Sequence, residues 1–148
     1  MKLTLTRLAA FAAFALVAFL LAASPTQETA KKTGATPEDS AAAVLKGKVT
    51  AILKTSCATS GCHTGERPKM RLALVPAALD TLVNRPSRQI DTLLIIDAKR
   101  PDKSYILMKI RGDKGIRGSR MPDDAPPLKP ETIQTIELWI KSLSTRTR

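Results

Sequence analysis

The only two cysteines and the only histidine of this 148-residue chain lie within seven residues, in the run CATSGCH from Cys57 to His63. Two thiols can add to the two vinyl groups of a porphyrin, and a histidine directly after the second thiol then places its imidazole beneath the iron. The run therefore predicts covalent attachment of one haem. Cys57 and Cys62 would be the attachment residues, and His63 would be an iron ligand.

Four residues separate the two cysteines, whereas haem attachment motifs usually have two. The porphyrin fixes the distance between its vinyl groups, so the longer segment must bulge. The intervening residues are small, and Gly61 can adopt the positive φ angles that a bulge requires.

Three alternatives to haem remain open at this point. The first is a disulfide between Cys57 and Cys62 in an oxidising compartment, with His63 as a bystander. The second is a zinc or copper site, although the chain has no further Cys or His to complete a tetrahedral shell. The third is a catalytic thiol, which needs a histidine close in space rather than next in sequence.

A second imidazole cannot be the sixth iron ligand, because the chain has no other histidine. Methionine is the best remaining ligand, and an axial methionine raises the reduction potential. Met70 is set aside because it lies only seven residues after His63, and Met108 because packing explains it inside a predicted helix. Met121 lies in a Gly- and Pro-rich stretch 58 residues after His63, so a long loop can bring its sulfur over the opposite haem face. The alternative for Met121 is a gap filler in a core poor in aromatic residues.

These motifs, in this order, resemble small single-haem c-type cytochrome domains of exported bacterial proteins, including those called planctomycete-type cytochrome c. The resemblance covers residues 45–143 and continues beyond Cys-His with four short runs. They are Leu72-Ala73-Leu74, PDKSYIL at 101–107, Met121-Pro122 and Trp139-Ile140. The resemblance implies a mostly α, cytochrome c-like bundle of short helices with a long Gly/Pro-rich loop. It also implies thioether bonds at Cys57 and Cys62, with His63 and Met121 as axial ligands.

The positions of apolar residues predict the elements that would hold this site. Thr36-Pro37 begins a helix whose apolar face leads into Cys57, and 131–143 predicts a final helix around Trp139. Shorter helices are expected over 76–84 and 101–111, and 112–130 is expected to be a long loop. The apolar face of the first helix comprises Ala41, Val44, Leu45, Val49, Ile52 and Leu53.

The first 23 residues resemble an export signal, with Lys2 and Arg7 before an apolar run that ends at Ala23. An uncleaved membrane anchor is the alternative. Residues 24–35 are expected to be a flexible linker, and 36–148 the cytochrome c-like domain. All three Phe lie in the signal, so the domain is poor in aromatic bulk that a haem would supply.

The remaining chain is strongly basic, because removal of Lys2 and Arg7 lowers the formal net charge only from +11 to +9. Nucleic acid is not the expected partner, since no aromatic residues are interleaved with the basic ones. We expect a periplasmic or otherwise exported electron carrier, not an enzyme, that binds an acidic redox partner or an anionic membrane surface. The alternative is a haem-free cytochrome c-like structural or binding module stapled by a Cys57–Cys62 disulfide.

Overall fold

The computed structural model describes residues 36–145. The predicted signal, residues 1–23, and the predicted linker, residues 24–35, lie outside the described residues. Three α-helices organise the described chain: α1 (Pro37–Ser56), α2 (Tyr105–Arg111) and α3 (Pro130–Thr145). Three short 3₁₀ helices connect them, at Lys69–Arg71, Pro76–Leu82 and Pro101–Lys103. The described part is therefore mostly helical, which confirms the prediction of a mostly α fold at that level.

α1 begins at the residue that the sequence predicts. The Thr36 hydroxyl accepts a hydrogen bond from the Asp39 N–H at 3.1 Å, and the Asp39 carboxylate accepts one from the Thr36 N–H at 3.2 Å. This reciprocal pair satisfies two N–H groups that have no partner within the helix, and Pro37 fits the first turn. α1 then runs without interruption to Ser56, and Cys57 is its C-cap residue.

α1 packs against α3, and α2 packs against α3 as well. The final helix predicted around Trp139 is confirmed, and it buries Ile136, Trp139 and Ile140. The face predicted for α1 is wrong in part: Val49 and Leu53 are buried, but Val44 is 60% exposed. At 100° per residue Val44 lies about 140° around the helix from Val49, so it cannot share its face.

The helix predicted over 101–111 is divided at Ser104. The hydroxyl of Ser104 accepts a hydrogen bond from the Asp97 N–H at 2.9 Å, and the Ser104 backbone is extended. The chain therefore forms a 3₁₀ turn at Pro101–Lys103 and starts α2 only at Tyr105. Gly112 ends α2 in the left-handed conformation, with φ +75°.

The remaining segments are irregular. The helix predicted over 76–84 is a 3₁₀ helix that buries Leu79 and Leu82. Between it and the next 3₁₀ turn the described chain forms only isolated bridges, from Val83 to Ile96 and from Pro86 to Leu94. The long loop predicted after Gly112 is confirmed up to the start of α3. Within residues 36–145, no helix has the length and apolar character needed to cross a membrane.

Candidate functional site

A cavity of about 540 Å³ opens between the end of α1, the long loop and α2. Its volume lies in the range that small-molecule and cofactor sites occupy, about 300–1,000 Å³. Aliphatic side chains from four separate parts of the chain form much of its wall: Leu72, Leu74, Ile95, Ile106, Ile110 and Leu128.

All four residues that the sequence singles out line this cavity: Cys57, Cys62, His63 and Met121. Cys57 is the residue that ends α1, and Cys62 and His63 follow in the next loop. Met121 comes from the loop between α2 and α3. The fold thus brings Met121 to the same cavity as His63, across 58 residues of sequence.

Backbone hydrogen bonds hold the segment between the two cysteines. The His63 N–H donates to the carbonyl of Cys57 at 3.1 Å, which closes the segment into a ring, and the Cys62 N–H donates to the Thr59 carbonyl at 3.0 Å. Gly61 has φ +75°, the conformation expected for the bulge. The four intervening residues are accommodated in this ring, with Thr59, Ser60 and Gly61 exposed.

The imidazole of His63 is buried and held in one orientation. Its Nδ1 lies 3.0 Å from the carbonyl oxygen of Leu72. Because a carbonyl only accepts, Nδ1 carries the proton, and Nε2 keeps the lone pair that binds a metal. Burial lowers the pKa of His63 below its usual value, and the backbone groups of Leu72 and Lys69 oppose this only in part. The imidazole is therefore neutral at pH 7, the form that a metal binds.

The two cysteines are free thiols in different environments. Cys57 is buried and Cys62 is half-buried. Burial, together with the neighbouring Cys62, raises the pKa of Cys57 to about 11. Cys57 is therefore protonated at neutral pH, and in that state it is a poor nucleophile and a poor metal ligand.

Met121 is half-buried, and its backbone N–H donates to the carbonyl of Lys109 at 2.8 Å. Met108, on α2, does not line the cavity. Met70 does line it, although its position only seven residues after His63 argued against it in the sequence. Met70 is 52% exposed and has φ 56° in a left-handed turn. Two methionines, rather than one, thus border the cavity.

Nothing in the sequence pointed to the polar part of the cavity wall. Four cationic side chains border the cavity and one acidic one does: Lys69, Arg85, Arg88, Lys109 and Asp123. Neither Arg85 nor Arg88 has a side-chain hydrogen bond or an ion pair with another described residue. Residues that line a cavity but lie far apart in the sequence form no local motif. Only the basic net charge of the chain indicated that cationic residues could be there.

A conventional metal site is absent from the described range. Residues 36–145 contain no group of three or more His, Cys, Asp or Glu side chains that could hold a metal ion. A tetrahedral zinc shell therefore has no set of ligands there. His63 is therefore a single imidazole beside a largely apolar cavity. This arrangement suits a cofactor whose metal is already coordinated by atoms of the cofactor.

Comparison with protein-family models, with curated proteins and with solved structures finds no match to this chain. The fold and the geometry of the cavity therefore carry the functional argument.

Proposed function

We propose that this protein is an exported electron carrier with one covalently bound haem c. Cys57 and Cys62 would form the two thioether bonds, and His63 and Met121 would be the axial ligands. One observation carries the proposal: a single cavity is bordered by both thiols, by the only imidazole of the chain and by Met121. The neutral His63 ring, with Nδ1 bound to Leu72, leaves Nε2 as the ligand atom.

The cavity wall suits both parts of a haem molecule. The aliphatic side chains match the apolar porphyrin ring, whose bulk also fits a domain with only one Trp and one Tyr. The excess of cationic over acidic groups in the wall matches the two propionate carboxylates. Arg85 and Arg88 are the best candidates for these carboxylates, because neither is engaged by another described residue.

The thiols would react by addition. The S–H of each cysteine adds across one vinyl group, so that a carbon–sulfur bond forms and the proton ends on the other vinyl carbon. No leaving group and no oxidant is required. The buried Cys57, with its raised pKa, fits a residue that reacts in the unfolded chain, before the fold closes over it.

Electron transfer, rather than catalysis, is the proposed activity. When bound, haem supplies a reversible one-electron iron couple, and an axial methionine raises its potential. Ligands on both faces leave no iron position open for a substrate. The basic surface of the chain favours an acidic redox partner or an anionic membrane surface.

The decisive test is the visible spectrum of the exported protein in its reduced, pyridine-treated form, combined with its intact mass. We expect one haem per chain that resists extraction by acidified acetone. The variants Cys57→Ala and Cys62→Ala should each keep one thioether bond, and one intact vinyl group should shift the reduced band to longer wavelength. A colourless protein with a Cys57–Cys62 disulfide would establish the haem-free module instead.

A further inference from the structure

The loop that carries Met121 is fastened to α2 largely through one residue, Lys109. The Lys109 ammonium donates to the carbonyl oxygens of Arg117 at 2.9 Å and Ser119 at 2.5 Å. The backbone carbonyl of the same lysine accepts the N–H of Met121 at 2.8 Å. Three alternate residues of the loop thus bind to a single position on α2.

Lys109 is an unusual residue to find in this wall. It is only 7% exposed, whereas lysine is rarely buried without a partner. Burying an ammonium costs free energy that hydrogen bonds must offset, and here the acceptors are loop carbonyls. A leucine or methionine would fill the same space without that cost. Lysine differs from these residues in its hydrogen bonds to the loop and in its charge, which Asp123 of the same loop attracts.

Tyr105, one turn earlier on the same face of α2, supports this contact. Its hydroxyl accepts the N–H of Arg117 at 3.1 Å and donates to Oε1 of Gln89 at 3.1 Å. The N–H and the carbonyl of Arg117 are thus both held by α2 side chains. Between Arg117 and Met121 the loop therefore runs along α2 and is held to it by hydrogen bonds.

We propose that Lys109 is a positioning residue for Met121: its ammonium holds residues 117–119 so that the Met121 sulfur stays in the cavity wall, where it would bind the iron. The inference rests on the proposed function, because it assumes that Met121 is a ligand. A purely structural lysine would stabilise the domain without affecting how tightly the sulfur is held.

Lys109→Leu tests the contact, because leucine has nearly the volume of lysine, removes the donors and adds no sulfur that could bind iron. The matched control is Lys114→Leu, an exposed lysine of the same loop. The probe is imidazole, which must displace the methionine sulfur to bind ferric iron. We expect Lys109→Leu to bind imidazole about tenfold more tightly than the wild type, and Lys114→Leu to be unchanged. Equal affinity in all three proteins would overturn the proposal.

The same substitution in a Met121→Ala background separates positioning from a general structural role. Without the sulfur, Lys109 has nothing to hold in place, so Lys109→Leu should leave imidazole affinity nearly unchanged there. The same tenfold gain in both backgrounds would show that Lys109 acts on the whole cavity, and it would overturn the positioning role.

Hydrogen exchange gives a readout that does not depend on iron. In Lys109→Leu the amides of residues 117–121 should exchange faster, while those in the middle of α3 stay protected. Unchanged exchange in the loop would overturn the proposal even if haem is present. A wild-type protein without haem would overturn both the proposed function and the positioning role of Lys109. A haem-containing protein with unchanged imidazole affinity in Lys109→Leu would overturn the positioning role alone.

Discussion

The Nδ1 atom of His63 lies 3.0 Å from the carbonyl oxygen of Leu72, and this one contact fixes the tautomer and the orientation of the ring. An imidazole that rotates freely must be ordered when it binds a metal, which costs free energy. The His63 ring is already ordered by the fold. Its partner is a backbone atom, so side-chain substitution at Leu72 leaves the acceptor in place.

Substitution of the two cavity methionines distinguishes the ligand from its neighbour. Met121→Leu should remove the weak sulfur-to-iron charge-transfer band of the ferric protein and lower its reduction potential. Met70→Leu, a change of the same size in the same cavity wall, should leave both nearly unchanged. Optical spectra and potentiometric titration measure the two effects. Loss of the band in Met70→Leu alone would assign the sixth position to Met70.

Neutralising Arg85 and Arg88, whose side chains have no partner among the described residues, should also change the reduction potential. Reduction adds negative charge to the iron, and nearby cations favour it, so Arg85→Gln and Arg88→Gln should each lower the reduction potential. Lys114→Gln, an exposed residue that does not line the cavity, is the control for net charge. Potentiometric titration of the three variants at one ionic strength provides the comparison. A drop as large in Lys114→Gln would mean that only the overall charge matters.

The loss of stability at acidic pH should depend in part on Glu137. Its carboxylate accepts from Lys141 at 2.7 Å on α3 and from Arg111 at 2.6 Å on α2. The hydrogen bond from Lys141 and the charge of Arg111 lower the pKa of Glu137 from its ordinary 4.5, although burial opposes them. A lowered carboxyl pKa stabilises the fold above that ordinary value, and this stability is lost as the pH falls through the folded-state pKa.

Glu137→Gln should therefore lower the free energy of unfolding by ~0.5–1 kcal/mol at neutral pH. The difference from the wild type should vanish in acid, below the folded-state pKa of Glu137, where the wild-type carboxylate is protonated. Urea denaturation at neutral and at acidic pH measures this, with the exposed Glu66→Gln as control. A deficit that persists unchanged in acid would contradict the role of the ion pair.

The α1–α3 contact should dominate the stability of the domain. Ile140, on α3, is fully buried in the core, and truncation to alanine should cost about 2–5 kcal/mol. Leu138 lies on the same helix but is 46% exposed, so Leu138→Ala should change stability by about 0.5 kcal/mol or less. Midpoints of urea unfolding give both values. Similar losses in the two variants would show that Leu138 contacts something outside the described chain.

The sequence predicted those elements whose signals are local. The cap at Thr36 and the apolar spacing around Trp139 depend on residues within a few positions of each other, and both are confirmed. The break at Ser104 depends on a hydrogen bond from Asp97, which periodicity does not register. The cluster from Cys57 to His63 could be recognised because cysteine and histidine occur nowhere else in the chain.

The rest of the cavity wall could not be predicted, for a related reason. Lys109 looks like an ordinary solvent-facing lysine of a short helix, and its burial follows from how the long loop folds back over α2. Arg85 and Arg88 resemble any other part of a basic surface. Met70 was set aside on sequence distance alone, yet the left-handed turn at Met70 and Arg71 brings it to the cavity.

The hydrogen bond from the His63 N–H to the Cys57 carbonyl also bears on how this segment tolerates change in length. The contact joins the two ends of the ring, and the residues between them form an exposed tip at Thr59, Ser60 and Gly61. Insertions or deletions at an exposed tip leave the anchored ends where they are. The number of residues between the thiols is thus set by the exposed tip. The positions of the two thiols are set by the hydrogen-bonded ends of the ring.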